Sequence, residues 1–251
     1  MKRDIDEAAS PDEDSGSDEG EIDQMAVETL HGSLKKRLRT SQFTDLIIKT
    51  REKEHKVHKI IICGQSTVFS RMLSGDWKEA NEGVVSLMDD RPAAVEAMIN
   101  FMYTFKYCYT NVMEWNTALF HFRVYEVAEK YSVASLELLA MQKVEEILKS
   151  EWGVKDFLQL VEQVYLSASS AVGTLRKTIY EEAYLNMGCL LDDPDFLRLL
   201  QEMPDFRTDF GRFSSSFNDF TCPACKAKSF LQDGFSMKCC PSCTRRTSLW
   251  K

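Results

Sequence analysis

The chain has 251 residues, 44% hydrophobic and 11% aromatic, enough for one large folded unit or two modest ones. No apolar run reaches the roughly 18 residues that a membrane span needs. The acidic start also lacks the apolar stretch of a secretory signal, so the expectation is an intracellular protein, nuclear or cytoplasmic, without a membrane partner. The formal charge of −8 is local: Met1–Gln24 holds ten Asp or Glu against Lys2 and Arg3, and the remainder balances at 29 acids and 29 bases. A balanced body argues against a dedicated phosphate-binding face.

Residues 1–24, reading DEDSGSDEGE at their centre, have almost nothing to bury and are expected to be a disordered acidic tail. Ser15 and Ser17 are candidate phosphorylation sites within it. Val27, Leu30, Leu34 and Leu38 follow at helical spacing, interleaved with Lys35, Lys36, Arg37 and Arg39. That basic run reads as a solvated helix face or as a nuclear-import signal, the former being favoured.

Leu46–Ile48 predicts a strand, Arg51–Glu54 a hairpin turn and Val57 the returning strand. An apolar segment from Lys59 to Met72 offers Ile61, Val68, Phe69 and Met72 to a core, and Val84–Leu87 predicts a third strand. Pro92 suits a first helical position, with Asp89 and Asp90 at the positive end of that helix. Val95, Met98, Ile99, Met102 and Tyr103 make one buried stripe, a pattern repeated by Val124, Val127, Ala128 and Tyr131 and by Ala140, Val144, Ile147 and Leu148. Val154, Phe157, Leu158, Val161, Val164 and Tyr165 form another, and weaker helices are expected over Val172–Met187 and Pro194–Met203. Phe206, Phe210, Phe213, Phe217 and Phe220 also recur at helical steps. Gly211 and the serines 214–216 are poor helix formers, so the favoured reading is an irregular linker pinned by phenylalanines.

The stretch Ser41–Leu148 resembles the BTB/POZ family, particularly its short fungal form. FTDLIIKT (43–50) resembles the family's first strand, and EHKVHKIIICGQSTVFSRML (54–73) its strand, His-Lys and helical segment. GDWKE (75–79), VVSLMDDRPAAVEAMINFMYTFKY (84–107) and VYEVAEKYSVASLELLAMQKV (124–144) resemble three further segments in the same order. The resemblance implies an α+β fold, a small β-sheet flanked by a helical cluster and followed by additional α-helices. It also implies that Asp45 and Lys59 line a charged pocket. Trp77-Lys78-Glu79 is similar to the segment by which some BTB adaptors contact a cullin scaffold in ubiquitin ligases, which makes Trp77 and Glu79 candidate partner-binding residues. The competing reading packs Trp77 on its own domain. His58, at a strand-to-helix junction, reads as a hydrogen-bonded structural histidine, since one histidine does not assemble a catalytic site.

Five cysteines fall within the last thirty residues. Cys222/Cys225 and Cys240/Cys243 form two Cys-Pro-x-Cys knuckles separated by fourteen residues. Two such turns can aim four thiolates at one tetrahedral ion, so a structural Zn2+ is expected, with Cys239 an alternative ligand to Cys240. Asp233-Gly234 predicts a hairpin turn between the knuckles. The module, 221–251, carries six bases and one acid.

The organisation expected is thus an acidic tail (1–24), a BTB/POZ domain (25–150), a helical extension (151–205), a Phe-rich linker (206–220) and a cysteine-rich zinc module (221–251). No phosphate-binding loop, nucleophile elbow or hydrolase motif is present, so an enzyme is not expected. The favoured function is a non-catalytic protein-interaction scaffold that forms BTB homo- or heterodimers. Next comes a substrate adaptor of a cullin-based ubiquitin ligase, and then a nuclear regulator whose zinc tail touches nucleic acid.

Overall fold

The computed structural model describes residues 16–107, 117–150, 152–169, 172–215, 218–221 and 228–231. Helix α1 (Gly16–Thr40) opens it, beginning inside the stretch expected to be a disordered tail. Leu34 and Leu38 of α1 pack on the core, and His31 lies 5.0 Å from Phe105, ring to ring. Met25, Val27 and Leu30 stay exposed, so among the described side chains of α1 the apolar contact with the core is made near its C-terminal end.

A three-stranded sheet follows, with β1 (Leu46–Lys49) between β2 (Glu54–Val57) and β3 (Val84–Ser86). β1 and β2 are antiparallel with Leu46 opposite Val57, and their turn is closed by the Thr50 amide and hydroxyl donating to the Lys53 carbonyl and by the Lys53 amide donating to the Thr50 hydroxyl. β3 runs parallel to β1, Ile47 opposite Val84, so the chain must cross over between them. The crossover carries α2 (Lys59–Gln65), α3 (Thr67–Ser74) and α4 (Lys78–Glu82). Ser66 breaks the first two: its backbone is extended, its hydroxyl accepts from the Phe69 amide at 3.0 Å and donates to the Tyr131 carbonyl. Phe69 then stacks on Tyr131 at 4.8 Å between centroids.

Helix α5 (Pro92–Thr104) starts at Pro92 as expected, but Asp89 and Asp90 do not cap it; Arg91 occupies that position. The Asp90 carboxylate instead accepts from Lys130 (2.7 Å) and the Tyr131 hydroxyl (2.6 Å). Besides the predicted stripe, α5 buries Ala94, Ala97 and Phe101, the mark of a helix enclosed on most sides. α1, α2 and α6 (Thr117–Lys130) pack on it; α7 (Ala134–Leu148) and α8 (Val154–Leu166) pack on α6, α9 (Gly173–Leu185) on α7 and α8, α10 (Met187–Leu190) on α9, and α11 (Pro194–Glu202) on α8. One hydrophobic cluster runs from Leu46 and Ile48 through Phe122, Val144 and Phe157 to Phe206 and Phe210. Residues on both sides of position 150 belong to it.

The expected linker is the main correction. Residues 204–215 form helix α12 (Pro204–Ser215), with Phe206 and Phe210 buried and Phe213 half-buried against Tyr180 and Tyr184. Phe206 meets Phe196 and Tyr165 edge to face. Each buried phenylalanine contributes roughly 1.5–3 kcal/mol. Gly211 in a helix costs about 1 kcal/mol and each serine about half that. Packing wins over local propensity.

Beyond α12, β4 (Asn218–Thr221) pairs with β5 (Lys228–Leu231) in an antiparallel hairpin, Thr221 opposite Lys228. The two strands are joined in sequence by residues 222–227, which hold the first knuckle; Cys222, Cys225, Cys239, Cys240 and Cys243 lie outside the described residues, as does Asp233-Gly234, where a turn was expected. None of the described helices is long and apolar enough to cross a membrane.

Candidate partner-binding surface

Asp45 and Lys59 meet where the crossover begins, and Trp77 and Glu79 lie at the start of the short helix that ends it. Asp45 immediately precedes β1, and its Oδ1 accepts the backbone N–H of Lys59 at 2.7 Å. Lys59 is the first residue of α2, whose N-cap residue, His58, contributes no side-chain cap bond. A carboxylate fourteen positions earlier in sequence thus satisfies one of the orphan amides and sets negative charge at the positive end of the helix. The two residues meet through the amide, and the Lys59 ammonium has no ion-pair partner among the described residues.

His58 is held at three points. Its backbone N–H donates to the Tyr103 hydroxyl (2.9 Å), Nδ1 lies 2.7 Å from the same oxygen, and Nε2 faces the Gln42 carbonyl at 2.8 Å. Burial pushes the Tyr103 phenol up to about 12, keeping it neutral at that junction. With both ring nitrogens engaged, His58 is the structural histidine expected.

Helix α4 carries the other pair. Trp77 is its N-cap residue and its carbonyl accepts from the Ala80 and Asn81 amides; Glu79 lies in the first turn, half-buried. Trp77 is 65% exposed, so most of its surface faces water. Its indole leans on Gly75, where any Cβ would sit 2.8 Å from Cδ1. Gly83 ends α4 at φ +64°, and its carbonyl accepts the Ile47 amide at 2.9 Å. The Asp45 carbonyl lies against the same glycine. The short helix, about 7 Å long, therefore spans from Trp77 to the Asp45 end of the sheet.

Two further apolar side chains stand outside the core near these elements. Ile60 on α2 is 81% exposed, and Phe43, before β1, is 79% exposed with the Arg37 guanidinium 4.9 Å above its ring. Neither was singled out from the sequence. The signal was present for Ile60: a seven-residue helix carrying three consecutive isoleucines cannot bury all of them, and Ile62 takes the inward place. Around these residues the groups are anchors, apolar surface and fixed charges; the one histidine is fully engaged.

Residues 34–148 match the BTB/POZ domain family model. A BTB/POZ domain-containing protein of Arabidopsis thaliana is 28% identical over 137 residues, 53% of this chain and 16% of that protein. The human Kelch repeat and BTB domain-containing protein 4 is 26% identical over 107 residues, 42% of this chain and 18% of that protein. The chain thus spans less than a fifth of the length of these relatives. The BTB domain of zebrafish PATZ1 aligns at 15% identity with a TM-score of 0.40, over 49% of this chain and 94% of that one.

Proposed function

Taking as premise that this chain carries a BTB/POZ domain over residues 34–148, we propose that it is a non-catalytic interaction scaffold which associates with a second BTB domain. One observation carries this reading: a closed core leaves large apolar side chains in water, Met25, Val27 and Leu30 on α1 among them. Grouped exposed apolar surface on a folded protein marks interaction sites. Sedimentation equilibrium of the full chain, with and without Val27→Glu and Leu30→Glu, tests it. Loss of a dimer in the double variant is expected; a monomer at all concentrations, with no BTB partner recovered, overturns it.

The exposed Trp77 beside Glu79 supports a second reading, an adaptor that holds a cullin scaffold. An exposed indole braced by its own glycine suits an interface anchor. Lys59, whose ammonium has no ion-pair partner among the described residues, and Asp45 would flank that contact. Pull-down with a cullin scaffold, lost in Trp77→Ala and Glu79→Ala, tests it.

For the tail, the four thiolates of Cys222, Cys225, Cys240 and Cys243 fit a closed structural zinc site. The pairing of Thr221 with Lys228 supports this by joining both flanks of the first knuckle in one hairpin. Zinc there would supply folding energy to a segment with little core of its own.

A further inference from the structure

Lys35, Lys36, Arg37 and Arg39 crowd the end of α1, and no acid lies between His31 and Thr40. Lys35, Lys36 and Arg39 are exposed and have no ion-pair partner among the described residues. Arg37 is half-buried; its guanidinium donates to Gln42 Oε1 at 2.7 Å and lies over the Phe43 ring, two partners without charge. Such a patch calls for an anion, and Thr40 stands where one can be built. It is the exposed last residue of α1, and its hydroxyl donates back along the helix to the Lys36 carbonyl at 2.9 Å. Lys36 and Arg37, four and three positions earlier, are its neighbours on that helix face. A phosphate on this oxygen would lie beside both, with Arg39 adjoining in sequence. The negative end of α1 opposes it with roughly half an elementary charge. The surrounding bases outweigh that.

We infer that Thr40 is a phosphate-acceptor site for a protein kinase that recognises bases upstream of its target hydroxyl. The γ-phosphoryl group of ATP passes to Oγ1: the Oγ1–P bond forms, the bridging P–O bond breaks to release ADP, and the hydroxyl proton goes to the kinase's carboxylate base. Access requires the last turn of α1 to open. Helix ends fray readily, and here strain adjoins the end: Ser41 (φ 50°) and Phe43 (φ 63°) both carry side chains in the left-handed region. The modified residue brings a charge of about −1.5 to −2 at pH 7 and draws the Arg37 guanidinium away from Gln42 and Phe43. Because the Gln42 carbonyl faces His58 Nε2 at 2.8 Å, the change reaches the start of α2. This role goes beyond association through the BTB domain and does not rest on it.

The full chain, incubated with ATP and the purified catalytic subunit of cyclic-AMP-dependent protein kinase, supplies the test. Peptide mapping by mass spectrometry is expected to place phosphate on Thr40, and Thr40→Val to remove it. Arg37→Ala with Arg39→Ala should slow incorporation at least about tenfold. A misfolded variant would be modified faster, so loss of fold cannot mimic that result. In the phosphorylated chain the ³¹P resonance should titrate with a midpoint below the value of about 6 for an isolated phosphate ester, and Lys36→Ala should raise it. No phosphate on Thr40, preference for Ser41 or another hydroxyl, equal rates in the arginine variant, or a midpoint at or above about 6 overturns the assignment.

Discussion

The Nδ1 of His58 lies 2.7 Å from the hydroxyl of Tyr103, forty-five residues later. Nε2 faces a carbonyl, which only accepts, so in the neutral ring the geometry suits the hydrogen on Nε2 and an accepting Nδ1. The phenol then donates to Nδ1 and accepts from the His58 amide. Tyr103→Phe leaves a donor and an acceptor unsatisfied at a junction that ties α5 to the end of β2. A loss of about 2–3 kcal/mol is expected, read as a lower urea midpoint at unchanged slope.

His121 and Tyr107 make a second pair, Tyr107 Oη to His121 Nδ1 at 2.9 Å, and burial pulls the imidazole down to about 4, with Lys143 adding to the effect. In the unfolded chain the same ring titrates near 6.5. Between those values the unfolded state holds more protons, so stability falls as pH drops from about 6.5 towards 4. Above 6.5 the contribution is fully present. The expected loss is on the order of 2 kcal/mol. Urea midpoints between pH 7 and pH 4.5 should drop more for the natural chain than for His121→Gln.

Helix α12 is tested at Phe206, which is fully buried between Phe196, Tyr165 and Phe210. Phe206→Ala should cost about 3–5 kcal/mol, seen in thermal unfolding. An irregular linker would lose almost nothing.

Gly75→Ala separates anchoring from stability. The new methyl group forces the Trp77 indole to move, yet that indole is mostly in water. Thermal stability should shift by less than about 1 kcal/mol, while any partner captured through Trp77 weakens severalfold. Equal effects on folding and capture would deny the anchor role.

Elemental analysis of reduced, purified protein should find about one zinc per chain, as a single four-ligand site requires. Cys222→Ser or Cys243→Ser should abolish it without moving the unfolding transition of residues 25–215. Full retention of metal in both variants, or none in the natural chain, removes the site from consideration.

The helices of the body were legible because burial writes itself as period: Val95, Met98, Ile99, Met102 and Tyr103 all face inward on α5 as their spacing requires. The strands were legible too, down to the hairpin after Lys49, since a polar turn between β-branched runs leaves few alternatives. Helix α12 was not, because its cause is distant. Gly211 and its serines argue locally against a helix, and only ring contacts with Phe196, Tyr180 and Tyr184 reverse the balance. For the surface, sequence resemblance selected Trp77 and Glu79, but exposure is a property of the packed whole. Ile60, Ile61 and Ile62 are the same letter, and one is outside, one at the boundary and one inside. The bond from Asp45 to the Lys59 amide was equally hidden, since it joins two ends that only the hairpin brings together.

The shared interior on either side of position 150 has a practical meaning for anyone who trims the protein. Val144 and Leu148 sit in the same oily mass as Phe157, Leu160 and Ile179. A fragment stopping at 150 would bare that mass to solvent and invite clumping. The family-matching portion is thus expected to melt together with the helices that follow it, which wall off its interior.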